Sequence, residues 1–475
     1  MRSFFFYDLE TSGFSPRHDR IMQFAGQRTD TNLKPVGDPV NLLIKMTDDT
    51  LPSPGAIMTT GITPQSTLED GFSEAEFCEH FLEHIATPET IFIGYNSIRF
   101  DDEFMRHTLW RNFHDPYEWE WSEKRGRWDM LDVARFVRAI RPEGINWPTK
   151  KVQTSDGEWK EIGTVNLVDM AASNDFTNKN AHDALADVNA LINLSRLLKD
   201  KQPKMLHYLY THRDKTGVAE IIRPDAPQPF VYVSGRYPSE NEKATAAIVI
   251  ARGRTPTSAL VWDLRYKVSN LNGLSEQQIL DNLTANCDRR REPDYVSIPV
   301  KELNMNRCPA VAPIGTIKGE EDRIHLTIDQ IQENLHDLRA NPDTVTKVIN
   351  AWQNRLPFAG SKDVEDQLYD GFAPDSDKDK IRLVAAANGN DLADMHPNFS
   401  DKRLPELLFR YKARQFPKSL NTEERKRWEQ YRMEKLKREL PPYMQELAKL
   451  DQEGKDSFLL TELQLWAESI IPADD

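Results

Sequence analysis

Cysteine is scarce in this sequence, and long apolar runs are absent. The 475 residues contain three cysteines, Cys78, Cys287 and Cys308, which lie far apart in the chain. A sparse set of this kind predicts reduced thiols and a cytoplasmic protein. No Cys/His cluster has the spacing of a zinc site. No apolar run approaches the roughly 20 residues that a membrane helix needs, and the apolar stretch at the N-terminus is too short for a signal peptide. We therefore expect no membrane association.

The chain also lacks an excess of basic residues, since its formal net charge is −14. This charge argues against a protein that coats nucleic acid, but it is compatible with an enzyme that has a local basic groove. Residues 402–438 contain 13 Lys/Arg against 5 Asp/Glu, with aromatic residues interleaved. That segment is either such a groove or a set of solvated helix faces above packed aromatic side chains.

Internal repeats and low-complexity blocks are absent as well, so nothing indicates a polymer-forming structural protein. The length and the mixture of 39% hydrophobic and 29% charged residues fit two or three globular domains. Residues 1–200 have the pattern of an α/β domain. Short β-type runs dominate residues 201–345, and residues 346–475 are helical and charged. These three ranges are the predicted domains.

The first range begins with three strand-like segments that are close enough in sequence to form an antiparallel meander. The segment Ser73–Glu76 is a capping box that opens a helix with Phe77, Phe81 and Ile85 on one face. A fourth strand and three further helices follow. This order predicts a mixed sheet flanked by helices.

Two acids end the first strand. Asp8 and Glu10 are two residues apart, so an extended backbone points both side chains to the same face. Two carboxylates held this close repel each other unless a cation lies between them. The alternative is an exposed acidic strand end without further function.

Two further acidic positions follow later in the chain. Asp101 starts a helix directly after an apolar strand, although acids are also common there because of the helix dipole. His182 precedes the last helix of the range, and Asp187 lies on its first turns. A histidine at a helix start is often only a cap or a surface residue.

Together these positions predict a metal-dependent site. Four carboxylates around one point require divalent cations, and hard oxygen ligands suit Mg²⁺ or Mn²⁺. Two such ions can stabilise both the attacking and the leaving oxygen of a phosphoryl displacement. A histidine beside the attacking water can take its proton near neutral pH.

The order of these acids and the histidine resembles the DEDD exonucleases, in the branch whose fifth residue is histidine. Within it, the stretches "RFDDEFMR", "RPEGINWP", "NAHDALADV" and "DKRLPELLFRYKARQFP" resemble the bacterial exonuclease I family. The resemblance covers essentially the whole chain. It implies a ribonuclease-H-like exonuclease domain, an SH3-like β-rich domain and an α-helical C-terminal domain.

The resemblance also implies an activity. It is the 3′→5′ degradation of single-stranded DNA to 5′-mononucleotides with two Mg²⁺ ions, for which Mn²⁺ is a plausible substitute, in DNA repair and recombination. Asp8, Glu10 and Asp187 would hold the first ion, and Asp8 and Asp101 the second. His182 would be the general base. The implied partners are single-stranded DNA and the C-terminal tail of the single-stranded-DNA-binding protein, and we expect a monomer.

Further residues are candidates for contacts with the DNA strand. Arg106 lies just over one helical turn after Asp101, within reach of a phosphate. Aromatic and cationic residues of the following segment suit unpaired bases. Gly13 permits close backbone approach, so its turn would seat the 3′-terminal nucleotide. The candidates are Glu10, Thr11, Ser12, Gly13, Arg106, Tyr117, Trp121, Arg135 and Asn166, the last in place of a cationic residue common in the family.

Two other functions compete with this interpretation. An RNA-degrading DEDD exonuclease would use the same acids, because it cuts the same bond, although small oligoribonucleases need only the first domain. A non-catalytic single-stranded-DNA-binding protein on a decayed nuclease fold is the alternative from another class. Decay should first remove the metal ligands, and all five residues are present.

Overall fold

The computed structural model describes residues 2–153, 157–176, 184–356 and 360–472. These residues form two five-stranded sheets and one two-stranded hairpin. The strands are β1 Ser3–Thr11, β2 Ile21–Thr29, β3 Val40–Leu43, β4 Thr90–Gly94, β5 Gly126–Asp129, β6 Thr149–Gln153, β7 Trp159–Gly163, β8 Phe230–Val233, β9 Ala244–Arg252, β10 Ser258–Asp263, β11 Val300–Asn304 and β12 Ala310–Pro313.

The α-helices connect these strands and make up most of the C-terminal part of the chain. They are α1 Pro54–Thr60, α2 Pro64–Asp70, α3 Glu74–His80, α4 Asp101–Arg111, α5 Met130–Ile140, α6 Leu167–Ser173, α7 Ala184–Lys201, α8 Pro203–Thr211, α9 Lys215–Ile222, α10 Glu276–Leu283, α11 Glu321–Ile324, α12 Ile328–Ala340, α13 Pro342–Gln353, α14 Asp375–Ala385, α15 Gly389–Ala393, α16 Leu404–Gln415, α17 Thr422–Gln452 and α18 Ser457–Ser469.

The first sheet has the strand order β3-β2-β1-β4-β5. β1 pairs with β2 and β2 with β3 in antiparallel fashion, as the short connections predicted. β4 pairs with β1 in parallel. The mixed sheet expected from the sequence is therefore confirmed.

The two neighbours of β1 follow it for different lengths. Pairing with β4 covers Ser3 to Phe6, whereas pairing with β2 continues to Thr11 with an irregularity after Glu10. The backbone of β1 beyond Phe6 has therefore passed the paired part of β4 and can meet the chain that follows β4. This places Asp8 and Glu10 at the C-terminal end of the central strand, beyond its pairing with β4.

Helix α3 begins as the sequence predicted. Ser73 accepts from the backbone N–H of Glu76, and the Glu76 side chain accepts from that of Ser73. Phe77, Phe81 and Ile85 are buried in one core cluster with the apolar side chains of β1 and β4. The last turn, Phe81–Ile85, is a π-helix.

The chain divides into two compact units that are each discontinuous in sequence. The first consists of Met1–Arg127, Asn178–Asn189 and Ala359–Asp475. In this unit the C-terminal helices pack on the region of the first sheet, with Leu436, Leu463 and Trp466 in a cluster that includes Met22 and Ile57.

The second unit consists of Trp128–Thr177 and Ala190–Phe358. Its sheet has the order β11-β10-β9-β8-β12, and all its pairings are antiparallel. The core includes Phe230, Val249 and Val261, with Val218 and Ile222 of α9 against it. This is the β-rich region predicted from the short strand-like runs.

Crossing a membrane would demand a long and apolar helix, and the described part of the chain contains none.

Candidate active site

The end of β1 carries the first two predicted acids. Tyr7 and Leu9 are buried, while Asp8 and Glu10, which alternate with them, are partly exposed. This alternation follows from the two-residue period of a strand, which points successive side chains to opposite faces. Both carboxylates therefore leave the apolar core on the same side of the sheet.

Asp101 is brought to the same strand by the segment that follows β4. Asn96 adopts a left-handed conformation (φ 67°), and the chain turns there into the short segment that leads to α4. Asp101, the first residue of α4, is 4% exposed and accepts a hydrogen bond from the N–H of Leu9 at 3.1 Å. A residue 92 positions further along thus contacts the backbone between Asp8 and Glu10.

The electrostatics of Asp8 show that four acids converge. Burial raises the pKa of Asp8 well above its usual value, and the charges of Asp101, Glu10 and Asp187 raise this pKa further. Asp187 lies in the first turn of α7. The structure therefore brings together the four carboxylates that the sequence singled out, from one strand and two helices.

This set of donors fits divalent cations, although the side chains are not arranged around one. Across residues 2–153, 157–176, 184–356 and 360–472, no three His, Cys, Asp or Glu side chains form a ready-made metal-binding group. Four carboxylates without a cation repel one another, and the raised pKa of Asp8 expresses that repulsion. Oxygen donors of this kind are the ligands that Mg²⁺ and Mn²⁺ prefer.

The predicted general base cannot be placed. His182 lies outside the described residues, two positions before α7 begins at Ala184. Its role stays a prediction.

The turn after β1 is held rigidly by its own hydrogen bonds. Ser12 is fully buried; its N–H donates to the carbonyl of Arg20, and its Oγ accepts from the N–H of Arg20, both at 2.9 Å. Thr11 Oγ1 donates to the carbonyl of Gly13 at 2.7 Å. Gly13 is required here, because a Cβ would lie 2.4 Å from the carboxylate of Asp19. The turn next to the acids is therefore pre-organised.

The three other predicted contacts of the first unit differ in exposure. Arg106 is buried and forms a bidentate ion pair with Glu120, at 2.6 and 3.0 Å. The Cζ atom of Arg106 lies 5.7 Å from the ring centre of Tyr117. Trp121 is 64% exposed. Of these residues, Trp121 presents the most surface for stacking on a base.

Arg135 and Asn166 belong to the second unit. Arg135 pairs with Asp132 at 2.7 Å, one helical turn earlier on α5. Asn166 is the N-cap of α6, and its side-chain oxygen accepts from the N–H groups of Val168 and Asp169. The helix cap gives Asn166 a structural role, and contact with the strand stays a prediction for both residues.

The basic segment 402–438 contains more internal ion pairs than its composition indicated. Its aromatic residues Phe409, Tyr411 and Trp428 are buried, as in the packing alternative. Six largely buried cations pair with carboxylates at 2.7–3.5 Å, namely Arg403, Arg410, Lys412, Arg414, Arg432 and Lys435. Two exposed cations, Arg427 and Arg438, pair with Glu406 and Glu439. Much of this charge therefore stabilises the fold.

Sequence reasoning missed an aromatic side chain beside the acids. Phe14 follows the buried turn, is 83% exposed and packs edge-to-face on Phe100, with ring centres 6.4 Å apart. Phe100 directly precedes Asp101. The signal was available, because an aromatic residue directly after Ser12-Gly13 in a turn next to the acids has no helix or strand in which to be buried.

A mixed sheet whose central strand ends in two acids, with two further carboxylates supplied by helices, defines the DEDD class of exonucleases. Three family models match the chain: Exonuclease over residues 5–195, Exonuclease I SH3-like domain over residues 213–354 and Exonuclease I C-terminal domain over residues 362–470. The chain belongs to the exodeoxyribonuclease I family and is a 3′→5′ exonuclease of single-stranded DNA.

Individual relatives agree with this assignment over nearly their full length. Exodeoxyribonuclease I of Haemophilus influenzae is 37% identical over 457 residues, which are 96% of this chain and 95% of the relative. That of Escherichia coli is 37% identical over 477 residues, covering 99% and 98%. The crystal structure of Escherichia coli exonuclease I in complex with a dA16 oligonucleotide superposes with a TM-score of 0.93 at 35% identity, covering 99% and 100%.

Proposed function

We propose that this chain hydrolyses the 3′-terminal phosphodiester of single-stranded DNA by a two-metal-ion mechanism and releases 5′-mononucleotides. The observation that carries this proposal is the convergence of acids at the end of β1, where the N–H of Leu9 donates to Asp101. The charges of Asp101, Glu10 and Asp187 all act on Asp8. Acids gathered in this way are expected where a cation is part of the working site.

The acids would divide between two Mg²⁺ ions, with Mn²⁺ as a substitute. Asp8, Glu10 and Asp187 would hold one ion, and Asp8 and Asp101 the other. When bound, the pair of ions lowers the pKa of the attacking water and stabilises charge on the attacking and leaving oxygens. Among solved structures of the Escherichia coli relative with single-stranded DNA, one is a zinc-bound form and another a metal-free form.

His182 would take the proton of the attacking water. A histidine has an ordinary pKa near 6.5, so its neutral form is available as a base at physiological pH. It lies five residues before Asp187 in the sequence. The deprotonated water would attack the terminal phosphorus while the P–O3′ bond breaks. The departing 3′-oxygen would take a proton from solvent, which gives a 5′-mononucleotide and a new 3′-hydroxyl.

The rigid turn of Thr11, Ser12 and Gly13 would seat the terminal nucleotide. Because its backbone is already fixed by hydrogen bonds to Arg20, binding a strand end there costs little further ordering. Trp121 would stack on a base upstream. Arg106 would act on a phosphate only in part, because its guanidinium already pairs with Glu120.

The protein partner and the biological setting are inferred from a solved structure of a relative. A solved structure combines the single-stranded-DNA-binding protein with exonuclease I and an inhibitor, at a TM-score of 0.87 to this chain. We propose that this chain likewise binds the C-terminal tail of that protein and works as a cytoplasmic monomer in DNA repair and recombination.

The test is digestion of matched single-stranded oligonucleotides in Mg²⁺. A 5′-labelled DNA strand should shorten one nucleotide at a time from its 3′ end, and EDTA should stop the reaction. An RNA strand of the same sequence tests the alternative substrate, and faster digestion of RNA would overturn the DNA assignment. If the protein bound the strand without cutting it, and Asp8→Ala bound it equally well, the non-catalytic alternative would hold.

A further inference from the structure

Asp102 is the residue beside the metal-binding acids to which the acid pattern gives no role. It is 1% exposed and lies on the first turn of α4, directly after Asp101. Its two oxygens have different partners: Tyr7 Oη donates to Oδ1, and Arg127 Nη1 donates to Oδ2. A fully buried carboxylate with both oxygens occupied is fixed in position.

The partners of Asp102 are themselves held. The second guanidinium nitrogen of Arg127 pairs with Glu120 at 3.0 Å, and Glu120 pairs with Arg106. Arg106 continues to Glu103 at 2.9 Å. Charges of opposite sign therefore alternate along a buried chain from Asp102 to Glu103, which we call the Asp102 chain (Asp102, Arg127, Glu120, Arg106 and Glu103).

Tyr7 connects this chain to the strand that carries the catalytic acids. Its ring is buried between Phe24 and Phe92, at 6.1 and 6.2 Å between ring centres. Its hydroxyl reaches out of this apolar packing and donates to Asp102. Residue 7 of β1 thus anchors Asp102, while residue 9 anchors Asp101 through its N–H.

The start of α4 is held by contacts with other segments, including the hydrogen bond from the N–H of Leu9 to Asp101. Its N-cap residue, Phe100, has a non-helical backbone (φ −130°, ψ −78°), and no side chain of the described residues caps the helix there. A helix start without a cap leaves its first N–H groups to other partners and is free to fray. The contacts of Asp102 help to fix this turn in place, and with it the direction of the Asp101 carboxylate.

We propose that Asp102 is a positioning residue, which together with Tyr7 and Arg127 orients Asp101 for the second metal ion. This inference rests on the proposed function, since it takes Asp101 to be a ligand. Groups that orient a metal ligand typically change metal affinity or activity by about 10–100-fold when they are removed. Asp102→Asn keeps the size of the side chain and removes its charge, and Tyr7→Phe removes one hydroxyl and keeps the ring.

The experiment titrates Mn²⁺ into the full-length metal-free protein and follows free Mn²⁺ by electron paramagnetic resonance. We expect the weaker of two binding steps to weaken by about 10–100-fold in both variants while the tighter step stays unchanged. In parallel, kcat on a single-stranded oligonucleotide should fall at low Mn²⁺ and recover at high Mn²⁺, with KM for the oligonucleotide unchanged. General damage to the fold would not be reversed by added metal.

The control is Asp377→Asn, which alters another buried aspartate with a cationic partner, Lys380 at 2.8 Å. It should leave both Mn²⁺ steps unchanged. Asp101→Asn separates the two levels of the argument. If Asp101→Asn leaves Mn²⁺ binding intact, the metal assignment itself fails. If Asp101→Asn removes the weaker step but Asp102→Asn and Tyr7→Phe do not affect it, the positioning role alone is refuted.

Discussion

Two groups of buried or partly buried charges in the first unit have opposite electrostatics. In the acid cluster of Asp8, Glu10, Asp101 and Asp187, the pKa of Asp8 is raised well above its usual value. In the second group, burial alone would raise the pKa of Asp49, but Arg414, Lys435 and Arg20 outweigh it and hold that pKa well below the usual value. The pKa values of two aspartates are thus shifted in opposite directions, because their neighbours carry opposite charges.

The second group is neutralised by its own arginines. Arg414 pairs with Asp49 at 2.8 Å and with Glu365 at 2.7 Å, and Arg111 pairs with Glu74 at 2.7 Å. The contact between Arg414 and Asp49 joins helix α16 to the segment that follows β3. The second group stabilises the fold, whereas the acids around Asp8 disfavour the charged form of that side chain.

The strongest test of the acid cluster is Asp8→Ala. We expect cleavage to fall by about 10⁴-fold or more, because the side chain proposed to bridge both ions is lost. Cleavage is measured on a 3′-labelled single strand. The thermal stability of the metal-free protein should not fall, because a repelled carboxylate has been removed. Measurable cleavage together with a lower melting temperature would assign Asp8 to the fold instead. Asp187→Ala should likewise abolish cleavage.

His182→Ala should slow cleavage by about 10²–10⁴-fold, the usual contribution of a general base. The limb of the pH–rate profile that reports this base should vanish, while Mn²⁺ binding is retained. Near-normal turnover in the variant would remove the general-base assignment.

A substitution in the second group, around Asp49 and Arg414, should lower the stability of the protein and leave its catalytic rate unchanged. Asp49→Ala removes one of the two carboxylates that pair with the buried Arg414, so we expect a loss of about 3–5 kcal/mol in the free energy of unfolding. Calorimetry measures the loss, and kcat of the folded protein should be nearly unchanged. As a control, Asp379→Ala breaks the exposed pair with Arg382 and should have little effect. Equal stability in the two variants would contradict the structural role.

The two clusters should also differ in pH dependence. The folded protein protonates Asp8 more readily than the unfolded chain, so metal-free stability should rise as pH falls through this raised pKa toward about 4. Asp49 and Glu365 have lowered pKa values, so their contribution is lost only below about 4. Melting curves in EDTA between pH 8 and 4 should therefore show a rise that Asp8→Asn removes. A rise that persists in Asp8→Asn would have another origin.

The smallest expected effect concerns an exposed aromatic residue outside both clusters. Trp121→Ala should weaken binding of single-stranded DNA by about 1–3 kcal/mol, the usual contribution of one stacked base. Fluorescence anisotropy in EDTA measures binding without cleavage. Phe458→Ala, which removes another aromatic ring that is 65% exposed, serves as the control. Equal affinities for the Trp121 and Phe458 variants would remove the stacking role.

The sequence by itself determined the elements and the identity of the acids. Local rules of strand period and helix capping act over a few residues. They therefore predict strand β1, the helix start at Ser73 and the shared face of Asp8 and Glu10. For the same reason the meander, the β-rich region and the helical C-terminal region were predictable.

Only the tertiary structure decided which charges meet. Asp102, Arg127 and Glu120 form a chain from separate segments, and Arg414 reaches Asp49 across 365 positions, which no local pattern encodes. Composition left open whether the segment 402–438 forms a basic groove or solvated helix faces. In the structure many of its cations pair with carboxylates. The physical reason is that the effect of a charge depends on its neighbours and its burial, and both are set by contacts between distant parts of the chain.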